Sequence, residues 1–270
     1  MRVKYFTILI SLTLLIFLIL PIRNSNLKGS ETRNGRRIET VVIDPGHGGK
    51  DPGTIGLSGI YEKNIVLPIG LKVKEYLVKG YGDLKVIMTR DKDEFIELKS
   101  RGKIANDNSG DLFVSIHCNA RKSDENDKNG FEIYVLDLNR LNEAIDVTLN
   151  ENKFLDLQKV KVDSNKLKLN RIICSIAQNS FLKNGTRFSD ILQTEIVKGT
   201  KLESRGVMQA GFFVLLGASM PTVLIECGYL SNKADEDYLK SDKGKEDVAK
   251  SIYKSIRLFK FDYDFENKSE

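Results

Sequence analysis

The amino-acid sequence predicts an α/β fold: a mostly parallel twisted sheet with helices on both faces, in a single domain that carries an insertion. Three observations predict it. From residue 39 onward, short apolar runs alternate with stretches of helical periodicity. Strands that alternate with helices imply a largely parallel sheet covered on both sides. The residues able to do chemistry also cluster at the ends of the apolar runs or just beyond them, where open α/β sheets build their sites.

The elements follow in order. TVVID (40–44) reads as a buried strand, and a glycine-rich loop, PGHGGKDPG (45–53), follows it. Ile65, Val66, Ile69, Val73, Tyr76 and Leu77 recur at helical spacing, so 62–79 is a helix. Pro68 is tolerated best in a first turn, which moves the start towards 65 or bends the helix there. LKVIMTR (84–90) is a strand, and 95–107 is a helix stopped by the turn at 108–110. DLFVSIH (111–117) and GFEIYVLD (130–137) are strands. Residues 170–184 and 189–200 read as two helices, the second capped by Ser189. AGFFVLLG (210–217) and TVLIE (222–226) are strands. Ser231 or Asn232 caps a helix through Leu239, and a last helix over 243–260 turns Val248, Ile252, Ile256 and Leu258 inward. Residues 138–169 are polar and weakly periodic, and read as an insertion in a connection that normally needs only a few residues.

The first residues stand apart from this pattern. Arg2 and Lys4 precede YFTILISLTLLIFLILP (5–21), which carries no charge. As a helix it spans about 26 Å, slightly short of a bilayer core. Residues 1–22 are therefore read as a signal peptide or membrane anchor. The stretch 23–38 is a basic polar linker, 39–262 the catalytic domain and 263–270 a polar tail. No small-x-small site directly follows Pro21, which favours an anchor. Arg23, Lys28, Arg33, Arg36 and Arg37 pull the other way, because cationic flanks tend to stay in the cytoplasm. Seven basic and one acidic side chain fall within 1–38, which leaves 35 basic and 36 acidic for the rest. The catalytic part is thus near neutral and lacks the signature of a nucleic-acid binder. Three cysteines without regular spacing are no disulfide framework. Cys118 and Cys227 each follow a candidate site residue, so they point to the opposite face of the sheet and pack in the core.

The chain has two histidines, His47 in the glycine-rich loop and His117 at the end of an apolar run. Glu62 follows the loop, and Glu226 closes TVLIE. Two histidines, one glutamate and a water form a known catalytic zinc set. His47, Glu62 and His117 supply the ligands of one Zn2+. Glu226 is the carboxylate that moves a proton from water to a leaving nitrogen. A carboxylate behind four apolar residues is costly unless partnered, and a metal or Arg205 would supply that partner. The loop lacks GxGxxG order, so a dinucleotide site is a poor reading.

These residues lie in segments with a recognisable pattern: VVIDPGHGGKDPGTIG (41–56), YEKNIVL (61–67), VIMTRDKD (86–93), DLFVSIHCNA (111–120), ESRGVMQAGFFVL (203–215) and MPTVLIECGYLSN (220–232). The chain resembles the zinc-dependent N-acetylmuramoyl-L-alanine amidases of the amidase-3 type over about 40–260. The resemblance implies the zinc-amidase fold and hydrolysis of the bond between the lactyl group of N-acetylmuramic acid and the L-alanine of the stem peptide. It carries the zinc ligands to His47, Glu62 and His117 and the catalytic glutamate to Glu226. Asn64 and Asn119 then help shape the site, and Arg205 supports Glu226 or the substrate. The substrate is peptidoglycan, so export to the bacterial envelope is retained, to the periplasm or the outer face of the cytoplasmic membrane. No segment resembles a cell-wall-binding repeat.

The 138–169 insertion is similar to one found in cell-separation amidases, where a helix covers the zinc until a protein activator removes it. Glu143 and Glu151 are the candidates to occupy the metal's open position. Two alternatives remain: a spore-cortex amidase of the same family, and a catalytically silent wall-binding adaptor.

Overall fold

The structure is a computed structural model that describes residues 37–121, 128–136 and 164–267, without the side chains of 164–179, Phe213 and Leu216. Six strands form one sheet: β1 (Thr40–Pro45), β2 (Lys85–Met88), β3 (Leu112–Asn119), β4 (Phe131–Leu136), β5 (Ser204–Ala210) and β6 (Thr222–Tyr229). Their order is β2-β1-β3-β6-β4-β5. The β1–β2, β1–β3, β3–β6 and β4–β5 pairs are parallel, and β4 alone runs antiparallel to β6. The sheet is therefore mixed but mostly parallel, flanked by helices as the alternation of the sequence implied.

Three long helices cover one face: α1 (Lys63–Gly80), α3 (Ser164–Gly199) and α6 (Asp242–Glu266). They pack on Val41, Ile43, Val114, Ile116, Val223 and Ile225, the alternate residues of the three central strands. Ile65, Val66, Ile69, Val73 and Leu77 of α1 are fully buried there. Each contributes roughly 1.5–3 kcal/mol. The other face carries a smaller core of Val42, Phe113, Leu224, Phe212 and Met220 under α2 (Leu98–Asp107) and the short α4 (Phe213–Leu216). The short α5 (Lys233–Lys240) follows β6, capped by the Asn232 side-chain Oδ1, which accepts from the amides of Ala234 and Asp235.

Several expectations need correction. Residues 210–217 are not a strand. The strand is β5, one segment earlier, and 213–216 form α4. A short apolar run reads the same as a buried strand or a buried helical turn. The two helices expected over 170–200 are one helix, α3. Gly185 is not a break but a close approach, since a Cβ there would lie 3.1 Å from the carbonyl oxygen of Thr222. Ser189 accordingly caps nothing, and its hydroxyl donates to Thr186 O inside the helix. Pro68 sits in the second turn of α1, which begins at Lys63 rather than near 65. Helix α6 runs on to Glu266, and Leu258 points outward at 44% exposure while Phe259 takes the inward position.

Among the described residues no helix is long and apolar enough to cross a membrane. The apolar run 5–21 and the insertion residues Glu143 and Glu151 lie outside the described residues.

Candidate metal centre

Three separate elements converge at the C-terminal end of the sheet. His47 lies two residues past β1, Glu62 directly precedes α1 and His117 lies in β3. His47 Nε2 stands 3.0 Å from Glu62 Oε2, His117 Nδ1 stands 3.0 Å from Glu62 Oε1, and the two ring nitrogens are 3.2 Å apart. One ligand atom from each residue falls within 4.8 Å of the others. Bonds of 2.0–2.2 Å in a tetrahedral zinc site put neighbouring ligands about 3.3 Å apart, so the three residues fit a single divalent ion. All three are buried.

The loop reaches this geometry through its glycines. His47 itself has φ 57°, a left-handed conformation uncommon for a residue with a Cβ. A Cβ on Gly46 would lie 2.3 Å from the His117 ring, and one on Gly53 would lie 2.5 Å from Glu62 Oε2. Only glycine lets the loop approach both ligands. The strained turn is clamped from behind by two buried arginines. Arg90 donates to Pro45 O and Gly46 O, and Arg101 donates to Pro45 O and His47 O. Arg101 also pairs with the fully buried Asp44 at 2.7 Å, and Asp44 accepts from Thr89 and Ser115 as well. Burial pushes the Asp44 carboxyl up. The Arg101 charge and these hydroxyls outweigh it and hold the group below the usual carboxylate range.

Each ligand is oriented by a second contact. Asp51 Oδ2 lies 2.9 Å from His47 Nδ1, which fixes the ring so that Nε2 faces the centre. Glu62 accepts from the amides of Thr54 and Cys118. Burial alone would raise Glu62, but the His47 charge and the hydrogen bonds of both imidazoles hold it well below its ordinary value. The same pairing, against the downward push of burial, holds His47 well above its own.

Glu226 lies in register with His117 on β3 and with Glu132 on β4, so the three side chains share one face of the sheet. Glu226 is 3% exposed. Cys118 and Cys227 point to the opposite face and are buried in the larger core. Burial pushes both thiols up, against the thiolate that ligation needs.

Glu132 is the residue that the sequence reading missed. Its carboxylate accepts from Asn119 Nδ2 at 2.9 Å, Tyr134 OH at 2.8 Å and Tyr229 OH at 2.6 Å. An acidic residue inside GFEIYVL was the available signal. Asn119 thus reaches the site through Glu132. Asn64 is exposed in the first turn of α1. Arg205 is not brought to Glu226. It sits on the edge strand β5, two strands away, and its guanidinium engages Asn129 O at 2.6 Å and the Asn129 side chain. Its position on an edge strand, beside the chain that enters β4, draws it outward.

The pattern of a known family, N-acetylmuramoyl-L-alanine amidase, matches residues 41–257. The chain is 31% identical to the N-acetylmuramoyl-L-alanine amidase AmiC of Neisseria meningitidis serogroup B, over 88% of this chain and 56% of that protein. It is 30% identical to AmiA of Escherichia coli K12, over 88% of this chain and 81% of that protein. Among solved structures it is similar to the amidase AmiC2 of Nostoc punctiforme, with a TM-score of 0.63, 30% identity, and 83% and 98% of the two chains covered.

Proposed function

Given that the chain belongs to the N-acetylmuramoyl-L-alanine amidase family, we propose that it cleaves peptidoglycan with one zinc ion held by His47, Glu62 and His117 and with Glu226 as the acid–base group. The enzyme is a peptidoglycan amidase. The bond broken joins the lactyl carbonyl of N-acetylmuramic acid to the nitrogen of L-alanine. One observation carries the site assignment: the only two histidines of the chain meet one buried glutamate within ligand distance.

A bound zinc ion supplies Lewis acidity, which activates water and polarises the scissile carbonyl. The residues of the chain do the rest. Asp51 and the two arginine clamps hold His47 in place, and the amides of Thr54 and Cys118 hold Glu62. Glu226 takes a proton from the attacking water. The water oxygen bonds to the carbonyl carbon, the C–N bond breaks, and Glu226 returns the proton to the departing alanine nitrogen. Glu132 holds the neighbouring wall of the site, fixed by Asn119 and two tyrosines. Asn64 and Arg205 are proposed to contact substrate from the rim.

The N-terminal run 5–21 is proposed to export the catalytic domain, residues 39–262, to the cell envelope or to anchor it there. A role in cell separation fits the likeness to AmiA and AmiC. The 138–169 insertion, with Glu143 or Glu151 over the metal and a protein activator to lift it, is proposed as the control element. Deleting 140–168 should then raise activity at unchanged metal content.

The central test uses purified protein, its zinc content and release of free N-terminal L-alanine from sacculi. Glu226→Gln is expected to keep the metal and lose at least about 100-fold in turnover, while His117→Ala loses the metal. A Glu226→Gln enzyme at near wild-type turnover would remove Glu226 from its role. A metal-free wild-type protein that hydrolyses sacculi equally well would remove the zinc.

A further inference from the structure

Helix α6 is apolar on two faces at its C-terminal end. Val248, Ile252, Ile256 and Phe259 face the core. Lys254, Leu258, Phe261 and Phe265, at spacings of four, three and four, form a second stripe on the outside. Leu258 is 44%, Phe261 70% and Phe265 66% exposed, and the two phenylalanine rings stack with centroids 6.5 Å apart. Lys254 and Arg257 are exposed beside them. The acidic side chains of the same turns are engaged elsewhere. Asp262 and Glu266 face Arg187, and Asp264 binds Lys260 and the amide of Ile38.

The position of Ile38 says what covers this stripe. Its amide donates to Asp264, and its carbonyl accepts from Lys260 Nζ at 2.6 Å. The chain therefore enters the fold at the end of α6, next to Phe261 and Phe265. The preceding linker, 23–38, carries Arg23, Lys28, Arg33, Arg36 and Arg37 and joins directly to the apolar run 5–21. Sixteen residues reach at most about 55 Å. Any membrane that holds 5–21 thus keeps the aromatic stripe close by, at high effective concentration. Exposed Phe and Leu flanked by Lys and Arg is the composition of a helix face that settles into the headgroup boundary of a bilayer. Cationic residues add attraction to anionic lipid.

We infer that the outer face of the α6 end (Lys254, Arg257, Leu258, Phe261 and Phe265) docks on the surface of an anionic phospholipid bilayer. The inference rests on the reading that 5–21 reaches a membrane. It sets an orientation. Ile38 lies at the N-terminal end of β1, and the metal centre lies beyond its C-terminal end, about 20 Å away along six residues of strand. Docking this pole on lipid turns the metal centre away from the membrane, towards a polymer that lies outside it.

The chain contains no tryptophan, so Phe261→Trp in the full-length protein gives a single reporter at an exposed position. The protein is reconstituted into phosphatidylglycerol-containing vesicles, with and without phospholipid brominated near the top of the acyl chains. Emission is expected to shift to the blue and to be at least about halved by the brominated lipid, and the effect weakens in pure phosphatidylcholine. Leu57→Trp, exposed in the loop next to the metal centre, stays unquenched. If the chain floats with the vesicles but Phe261→Trp remains solvent-like, the membrane segment stands and the docking fails. If the chain does not float with vesicles at all, the reading of 5–21 fails and takes the docking with it. A blue shift that grows with protein concentration without lipid assigns the face to a second copy and overturns the inference. Equal quenching in both lipid compositions overturns the part assigned to Lys254 and Arg257.

Discussion

Arg101→Met tests whether the metal loop is held by a buried ion pair. Arg101 is 2% exposed and Asp44 is fully buried. The guanidinium donates to Asp44 Oδ1 at 2.7 Å, Pro45 O at 2.9 Å and His47 O at 2.8 Å. Methionine fills much of the volume and removes every donor. A buried charge that loses its partner costs about 3–5 kcal/mol, and the deserted His47 carbonyl adds about 1 kcal/mol. In a domain of this size each kcal/mol moves the midpoint about 2–4 °C, so the expected fall in Tm is roughly 10–20 °C. The pH dependence gives the signature. In the wild type the depressed Asp44 contributes stability above its unfolded pKa of about 3.9, which is lost as pH falls through the lower folded value. In the variant, burial is opposed by the Thr89 and Ser115 hydroxyls and the His117 charge without that of Arg101. The folded pKa then rises, and the deficit shrinks as pH falls through it. Adding Asp44→Asn should restore about 2–3 kcal/mol relative to the sum of the single changes. A loss below about 1 kcal/mol, or strict additivity in the double variant, would show that the pair does not hold the loop.

Three further outcomes follow from the site. Asp51→Asn keeps the fold but loosens His47, and chelator competition should show metal affinity lower by about 10–100-fold. Glu132→Ala strips the acceptor from Asn119, Tyr134 and Tyr229. Denaturant titration should register about 2–4 kcal/mol of destabilisation, with zinc still bound. The third concerns pH. The raised His47 stabilises the metal-free protein below its unfolded pKa of about 6.5, and this stability is lost as pH rises through the folded value. Metal binding needs neutral imidazole and strengthens over the same range. The Tm difference between zinc-loaded and chelated protein should therefore widen from pH 6 to pH 9, and a constant gap would contradict the pairing of His47 with Glu62.

Which parts of this molecule were legible in the sequence follows from what each kind of signal encodes. The convergence of His47, Glu62 and His117 was legible because strand ends in an α/β sheet share one edge. Residues at three strand or loop ends meet there whatever the details of packing. The clamp was not legible. No sequence signal singles out Arg90 and Arg101, and only the tertiary fold turns their guanidinium groups under the loop towards Asp44 and the carbonyls of Pro45, Gly46 and His47. The segment 210–217 misled because continuous apolarity has no period, whereas β5 is an edge strand whose residues are at most half-buried. The expected break between 184 and 189 failed because Gly185 stands there as a close contact within one continuous helix. Leu258 misled by one position: the inward stripe of α6 continues at Phe259, and this leaves Leu258 on the outer aromatic face.

The antiparallel placement of β4 beside β6 determines what stands next to Glu226, the proposed acid–base carboxylate. Glu226 is flanked in register by His117 on one side and by Glu132 on the other. A single-residue slip of β6 would carry Glu226 to the face of Cys227 and bring a thiol to the metal side. That register is held by Val223 and Ile225 packed into one core and by Leu224 packed into the other. The apolar residues of TVLIE thus do more than fill space. Because they alternate between two differently covered faces, they fix the side on which Glu226 emerges. The neighbouring strands then add His117, a candidate metal ligand, and Glu132, the glutamate that anchors two tyrosines. Catalytic geometry in this chain is a consequence of strand register, and register is a consequence of where the sheet buries its methyl groups.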